Sequence, residues 1–83
     1  MAAKNQQSLS DRKGPRVELA YCVNGATAAA SATTLDRLLA ELGYGDARVA
    51  TAVNGAFVAV RARAQTTLEA GDRIEIVAPR QGG

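Results

Sequence analysis

From Arg16 onward apolar and polar residues alternate. Val17, Leu19, Tyr21 and Val23 interleave with Glu18, Ala20 and Cys22, the two-residue period of a strand with one buried face. Asn24-Gly25 follows, and this dipeptide tolerates the positive φ angles of a type I′ hairpin turn. The chain is therefore expected to fold back as a second, weaker strand within residues 26–31, although the alanines there favour helix on propensity alone. The period then changes. Leu35, Leu38, Leu39 and Leu42 form an apolar helical stripe, with Asp36, Arg37 and Glu41 toward water. Thr33-Thr34-Leu35-Asp36 has the form of a capping box at the start of this helix, and Gly43 is suited to a left-handed stop at its end.

Alternation returns with Val49, Thr51 and Val53 against Ala50 and Ala52, up to a second Asn-Gly at Asn54-Gly55. Phe57-Val58-Ala59-Val60 beyond it is the return strand of a second hairpin. The two Val-Asn-Gly triplets sit in unlike surroundings and read as two uses of one turn, not as an internal repeat. Residues 61–68 form a connection without a clear period; in an extended backbone Arg61 and Arg63 share one solvated face. Glu69-Ala70-Gly71-Asp72 signals a turn. Residues 73–78 make the last strand, with Ile74 and Ile76 on one face and Arg73, Glu75 and Val77 on the other. The order β-β-α-β-β-β predicts an α+β fold. Five short strands and one amphipathic helix are satisfied by a mixed sheet curled around the helix, its last strand inserted beside the first. This is the β-grasp, or ubiquitin-like, arrangement. It occupies residues 16–83, with a flexible C-terminal tail at 79–83, and the polar residues 1–15 are expected to be a disordered extension.

Composition narrows the chemistry. The 83 residues make one domain, and a chain with no Trp, one Phe and two Tyr builds its core from Leu, Ile, Val and Ala, too thin to enclose a substrate. With no His and a single Cys, a Cys/His metal site, a histidine general base and an internal disulfide are all ruled out. Cys22 reads as a small packing residue. The net charge is +2, but its excess lies in Lys4, Arg12, Lys13 and Arg16, against Asp11. Residues 17–83 are slightly acidic, which argues against nucleic acid as a partner. No apolar run is long enough to span a membrane and the first residues lack a secretory signal, so a cytoplasmic location is expected.

With no catalytic constellation upstream, Gly82-Gly83 carry the candidate chemistry. An end without side chains is narrow enough to thread a closed active site and adopts φ angles barred to other residues. Residues 79–83 reach about 17 Å when extended. Pro79, with fixed φ and no N–H, is predicted to end the last strand and aim the tail outward. One sheet face is left uncovered by the helix, and its apolar residues Phe57, Val58 and Val60 are candidates for docking a partner.

Val23-Asn24-Gly25, the helix segment Thr34-Leu35-Asp36-Arg37-Leu38-Leu39-Ala40-Glu41-Leu42-Gly43, the strand Arg48-Val49-Ala50-Thr51-Ala52-Val53-Asn54-Gly55, the stretch Leu68-Glu69-Ala70-Gly71-Asp72-Arg73-Ile74-Glu75-Ile76-Val77 and the closing Gln81-Gly82-Gly83 occur in this order. Together they resemble the ThiS family, the bacterial sulfur carriers of thiamine biosynthesis, over residues 17–83. The resemblance implies that a ThiF-like adenylyltransferase uses ATP to adenylate the Gly83 carboxylate. Sulfur from a cysteine desulfurase or similar donor would then convert it to a thiocarboxylate, which serves a ThiG-like thiazole synthase. Gly82, Gln81 and Arg80 would thread into the partner. On this view the chain is a protein co-substrate, not an enzyme, and binds no cofactor of its own. It departs from the family in two places: Pro79-Arg80 replaces an aliphatic pair, and Arg61-Ala62-Arg63-Ala64 stands where a Pro and a large aromatic residue are usual. Three alternatives stay open: a sulfur carrier for molybdopterin or another sulfur metabolite, a ubiquitin-like protein modifier, and a non-covalent β-grasp binding module.

Overall fold

The computed structural model describes residues 17–78. Two hairpins flank one helix. In the first, β1 (Leu19–Val23) pairs antiparallel with β2 (Ala26–Ala30) through a turn in which Asn24 and Gly25 have φ of 51° and 84°. In the second, β3 (Ala50–Val53) pairs with β4 (Ala56–Val58) through Asn54 and Gly55 at 51° and 87°. Both Asn-Gly turns thus adopt the paired positive φ angles of type I′. The last strand, β5 (Arg73–Val77), lies between the hairpins in the order β2-β1-β5-β3-β4. It runs parallel to β1 and antiparallel to β3. The mixed sheet with a central last strand is the expected β-grasp.

Helix α1 (Leu35–Glu41) packs on one face of this sheet. Leu35, Leu38 and Leu39 are buried with Tyr21, Ala30, Leu68, Ile74 and Ile76, and Leu42 packs against their edge. The helix closes as a Schellman motif: the Gly43 N–H bonds the Ala40 carbonyl at 3.2 Å, the Tyr44 N–H bonds the Leu39 carbonyl at 2.7 Å, and Gly43 has φ 94°.

Its start departs from the capping box. Thr34 is the N-cap, but its hydroxyl donates to Asp36 Oδ1 at 2.6 Å and accepts no helix N–H. This bond is the largest of the influences that hold the Asp36 carboxyl below its ordinary value. The first helical N–H, that of Leu35, finds a distant partner in the Thr66 carbonyl at 3.0 Å, while Leu68 N–H reaches back to Thr33 O at 2.8 Å. The segment beyond the second hairpin thus satisfies the first exposed amide of the helix from outside it.

That segment also corrects the expectation of a solvated edge at Arg61 and Arg63. Residues Val60–Gln65 form a 3₁₀ helix, so the two arginines do not share a face. Arg61 is exposed and Arg63 is buried. Arg63 Nε donates to Thr51 Oγ1 at 3.1 Å and Nη2 to the Val49 carbonyl at 2.6 Å. Thr51, a polar residue on the core face of β3, passes its own proton to the Val58 carbonyl at 2.9 Å. Val17, expected to open the buried face of the first strand, precedes β1 and is exposed.

Candidate functional site

The residues expected to carry the chemistry, Gly83 with Gly82, Gln81 and Arg80, lie outside the described residues, as does Pro79. What the structure places is the strand that leads into them. β5 is the central strand, held by β1 on one side and β3 on the other, with Ile74 and Ile76 buried beneath it. A strand anchored by two neighbours and by its core side chains opens only at the high end of local unfolding energies. The element next to the candidate terminus is thus among the best-held parts of the sheet.

Side chains complete that hold at both ends of β5. At its start, Asn54 Oδ1 accepts the Arg73 N–H at 2.9 Å and Asn54 Nδ2 donates to Asp72 Oδ1 at 3.1 Å. Asp72 in turn closes the preceding turn by accepting the Glu69 N–H at 2.8 Å, where Gly71 has φ 89°. Toward the other end, Asn24 Oδ1 accepts the Ile76 N–H at 2.8 Å and Asn24 Nδ2 donates to the Ile76 carbonyl at 3.1 Å. The residues that make each hairpin turn therefore also grip the last strand. Sequence reading found the turns and missed the grip, because nothing local to Asn24 announces a partner 52 positions away.

The sheet face opposite α1 carries Arg73, Glu75 and Val77 of β5. Val77 pairs with Ala50, Glu75 with Ala52, and Ala52 with Phe57, so Phe57 and Val77 share one face across β3. Phe57 is 73% exposed, Val60 70% and Val77 61%. Of the three docking candidates, Phe57 and Val60 are therefore open to solvent, whereas Val58 is half-buried and packs against the core. Val77 belongs with the exposed pair. The alternation that buried Ile74 and Ile76 was the signal that could have found it.

An open depression of about 520 Å³ runs along the end of β5, lined by Val77, Ala50 and Val60 and by the loop Gly45 to Val49, with Arg63 beside it. A shallower one of about 120 Å³ adjoins it, between Phe57, Ala52, Glu75 and Val77. Both are open and mostly apolar, surfaces for contact with another molecule more than enclosures for a reaction. Among the described residues no cluster of His, Cys, Asp and Glu could hold a metal ion, and no helix is long and apolar enough to cross a membrane. Cys22 lies in β1 opposite Thr27, half-buried.

Comparison with known proteins follows this geometry. The model of the ThiS family matches residues 17–83. The fold is similar to a crystal structure of the thiamine biosynthesis protein (ThiS) from Geobacter metallireducens, with a TM-score of 0.67 and 26% identity, covering 78% of this chain and 100% of that one. No curated protein matches the chain.

Proposed function

Because the chain belongs to the ThiS family, we propose that it is a sulfur carrier whose Gly83 is the loaded residue, supplying sulfur for the thiazole moiety of thiamine. The observation that carries this reading is the extent of the family match, which runs through the β-grasp domain to Gly82-Gly83. The similarity to a thiamine biosynthesis protein supports the pathway. The central position of β5 gives the terminus a firm base.

The chemistry follows from the weakness of a carboxylate as an acyl donor. A ThiF-like adenylyltransferase joins the Gly83 carboxylate to the AMP portion of ATP, releasing pyrophosphate. The terminal sulfur of a persulfide, provided by a cysteine desulfurase or similar donor, attacks the acyl carbon and displaces AMP. A thiol then attacks the donor-side sulfur of the resulting acyl disulfide and forms a new disulfide, leaving Gly83 as a thiocarboxylate. A ThiG-like thiazole synthase takes the sulfur. Gly82, Gln81 and Arg80 enter the partner's active site, and the cytoplasm, where ATP is at hand, is the compartment. The chain is a co-substrate of these enzymes, without a cofactor of its own.

Docking falls to the apolar outer face beside β5, with Phe57 and Val60 from the original candidates and Val77 added to them. Val58, turned to the core, supports Phe57 without meeting the partner.

The experiment is the intact mass of the chain after incubation with the adenylating enzyme, ATP and a sulfur donor. Exchange of one oxygen for sulfur, localised to Gly83 by fragmentation, is the expected result. An unchanged mass, with partners that load their own carrier, overturns the proposal. So does equal loading of a chain extended beyond Gly83.

A further inference from the structure

Asn24 does more than turn the chain. The parallel β1–β5 ladder stops where β1 bends away, once the Asn24 N–H has bonded the Ile74 carbonyl at 2.9 Å. Had β1 continued as a strand, Ile76 would have met the Asn24 carbonyl and the Ala26 N–H, the next acceptor and donor in a parallel ladder. At φ 51° the Asn24 backbone cannot offer them. Its carboxamide supplies one acceptor and one donor in their place, at 2.8 and 3.1 Å from the Ile76 N–H and carbonyl. The side chain thus adds one rung to the ladder at the end of β5 that leads into residues 79–83.

Resting on the carrier reading above, we infer that Asn24 is a positioning residue for the reaction at Gly83, acting through Ile76 to hold the β1 side of the end of β5 that precedes residues 79–83. Without the carboxamide the last part of β5 is held by β3 alone, and the part-buried polar groups of Ile76 lose their partners. The last rung on the β1 side then falls back from Ile76 to Ile74, so about 7 Å of strand, at ~3.3 Å per residue, is held from the β3 side only. A partner that threads Gly83 into its active site then meets a strand end held from one side, has to order it at each encounter, and binding weakens accordingly. Asn54 provides the internal control. It too uses its carboxamide as one acceptor and one donor, here to the Arg73 N–H and the Asp72 carboxylate at the exposed start of β5, far along the strand from residues 79–83.

The test uses the full-length chain in three forms: wild type, Asn24→Gly and Asn54→Gly. Glycine keeps the positive φ of each turn and deletes only the carboxamide. For N24G, the Ile76 amide should exchange with solvent about fivefold faster or more. Its KM as substrate of the adenylating enzyme should rise by a similar factor, with kcat unchanged. N54G should lose comparable thermal stability yet leave both the Ile76 exchange rate and the KM at wild-type values. A general loss of stability would move the two variants together. Should N24G fail to fold, Asn24→Asp, which keeps the acceptor for the Ile76 N–H but loses the donor to its carbonyl, is read by its KM against that of N54G. Unaltered Ile76 exchange in N24G, or one KM shared by the Asn24 and Asn54 variants, overturns the positioning role while the carrier reading stands. Failure of the wild-type chain to be adenylated by a competent partner overturns both.

Discussion

Replacing Arg63 with alanine strikes the seam between the 3₁₀ helix and β3. The residue is 9% exposed, and its guanidinium bonds neutral oxygens of Thr51 and Val49 at 3.1 and 2.6 Å. Hydrogen bonds to a charged group contribute roughly 1.5–3 kcal/mol each, about 3–6 kcal/mol for the pair. Burial of the side-chain stem adds about 2 kcal/mol, at ~0.8 kcal/mol per methylene. Desolvation of the guanidinium opposes these gains by several kcal/mol. Truncation relieves that cost but leaves the Val49 carbonyl without its partner, so the net loss is about 2–4 kcal/mol. For a domain whose whole stability is ~0.05–0.15 kcal/mol per residue, this is a large share. Urea denaturation followed by circular dichroism reads the effect: with a slope of roughly 1 kcal/mol per molar, the midpoint should fall by about 2 M or more. Arg63→Met restores the apolar stem without the charge and should recover part of the loss; what it leaves is the net value of the two hydrogen bonds. A midpoint for R63A within about 0.5 M of wild type would refute the reasoning and return Arg63 to the solvated surface.

Three other outcomes follow from single residues. The buried Tyr21 hydroxyl donates to the Ala32 carbonyl at 2.7 Å, so Tyr21→Phe should cost about 1–2 kcal/mol in the same urea assay. Burial, then Asp72 and Glu41, push the Tyr21 pKa above its ordinary 10.0; the folded state therefore holds this proton more tightly than the unfolded chain. The resulting stabilisation is whole below the unfolded value and is lost as pH rises through the higher folded one, an alkaline decline that Y21F should lack. Gly43→Ala should lower stability by about 1 kcal/mol, since φ is 94° while an added Cβ meets open space. Gly45→Ala, whose Cβ makes only an ordinary 3.8 Å contact, should be close to neutral, and equal midpoints for the two would show that strain at Gly43 is not what matters. Phe57→Asp places a charge on the open sheet face and should raise the carrier's KM for adenylation about tenfold with the melting temperature unchanged; an unaltered KM would remove Phe57 from the docking face.

Most of the fold could be read from the chain because its signals are local and agree with one another. Two Asn-Gly turns, a leucine stripe bounded by Gly43 and the alternation of Ile74 and Ile76 each fix one element, and few architectures accommodate their order. The errors share a cause. Arg63 sits in a run without period, so its identity as a charged residue decided the expectation, and only the fold supplies Thr51 and Val49 as partners. The capping box failed in the same way. Thr34 had the right residue type, but its hydroxyl turned to the Asp36 carboxylate, and the Leu35 N–H found the Thr66 carbonyl from beyond the second hairpin. Val58 was grouped with Phe57 and Val60 because an apolar run does not say where its strand ends. β4 stops at Val58 with that side chain inward, and the 3₁₀ helix begins at Val60.

The two Val-Asn-Gly triplets show most sharply what residue type settles and what placement adds. As sequence they are equivalent, and as turns they are equivalent, with both asparagines at φ 51°. They differ in which end of β5 each one meets. Asn54 reaches Arg73, where the strand enters the sheet, and Asn24 reaches Ile76, where it is about to leave. An asparagine is suited to both because it tolerates the left-handed backbone and carries a donor and an acceptor on one short planar group. Aspartate would keep the turn but lose the donor, and glycine would keep the turn and lose both. A requirement for asparagine beyond the needs of the turn therefore belongs to the strand it grips. At Asn24 that strand ends beside the residues that carry the proposed chemistry, so the pair of substitutions N24G and N54G separates the making of a hairpin from the holding of the terminus.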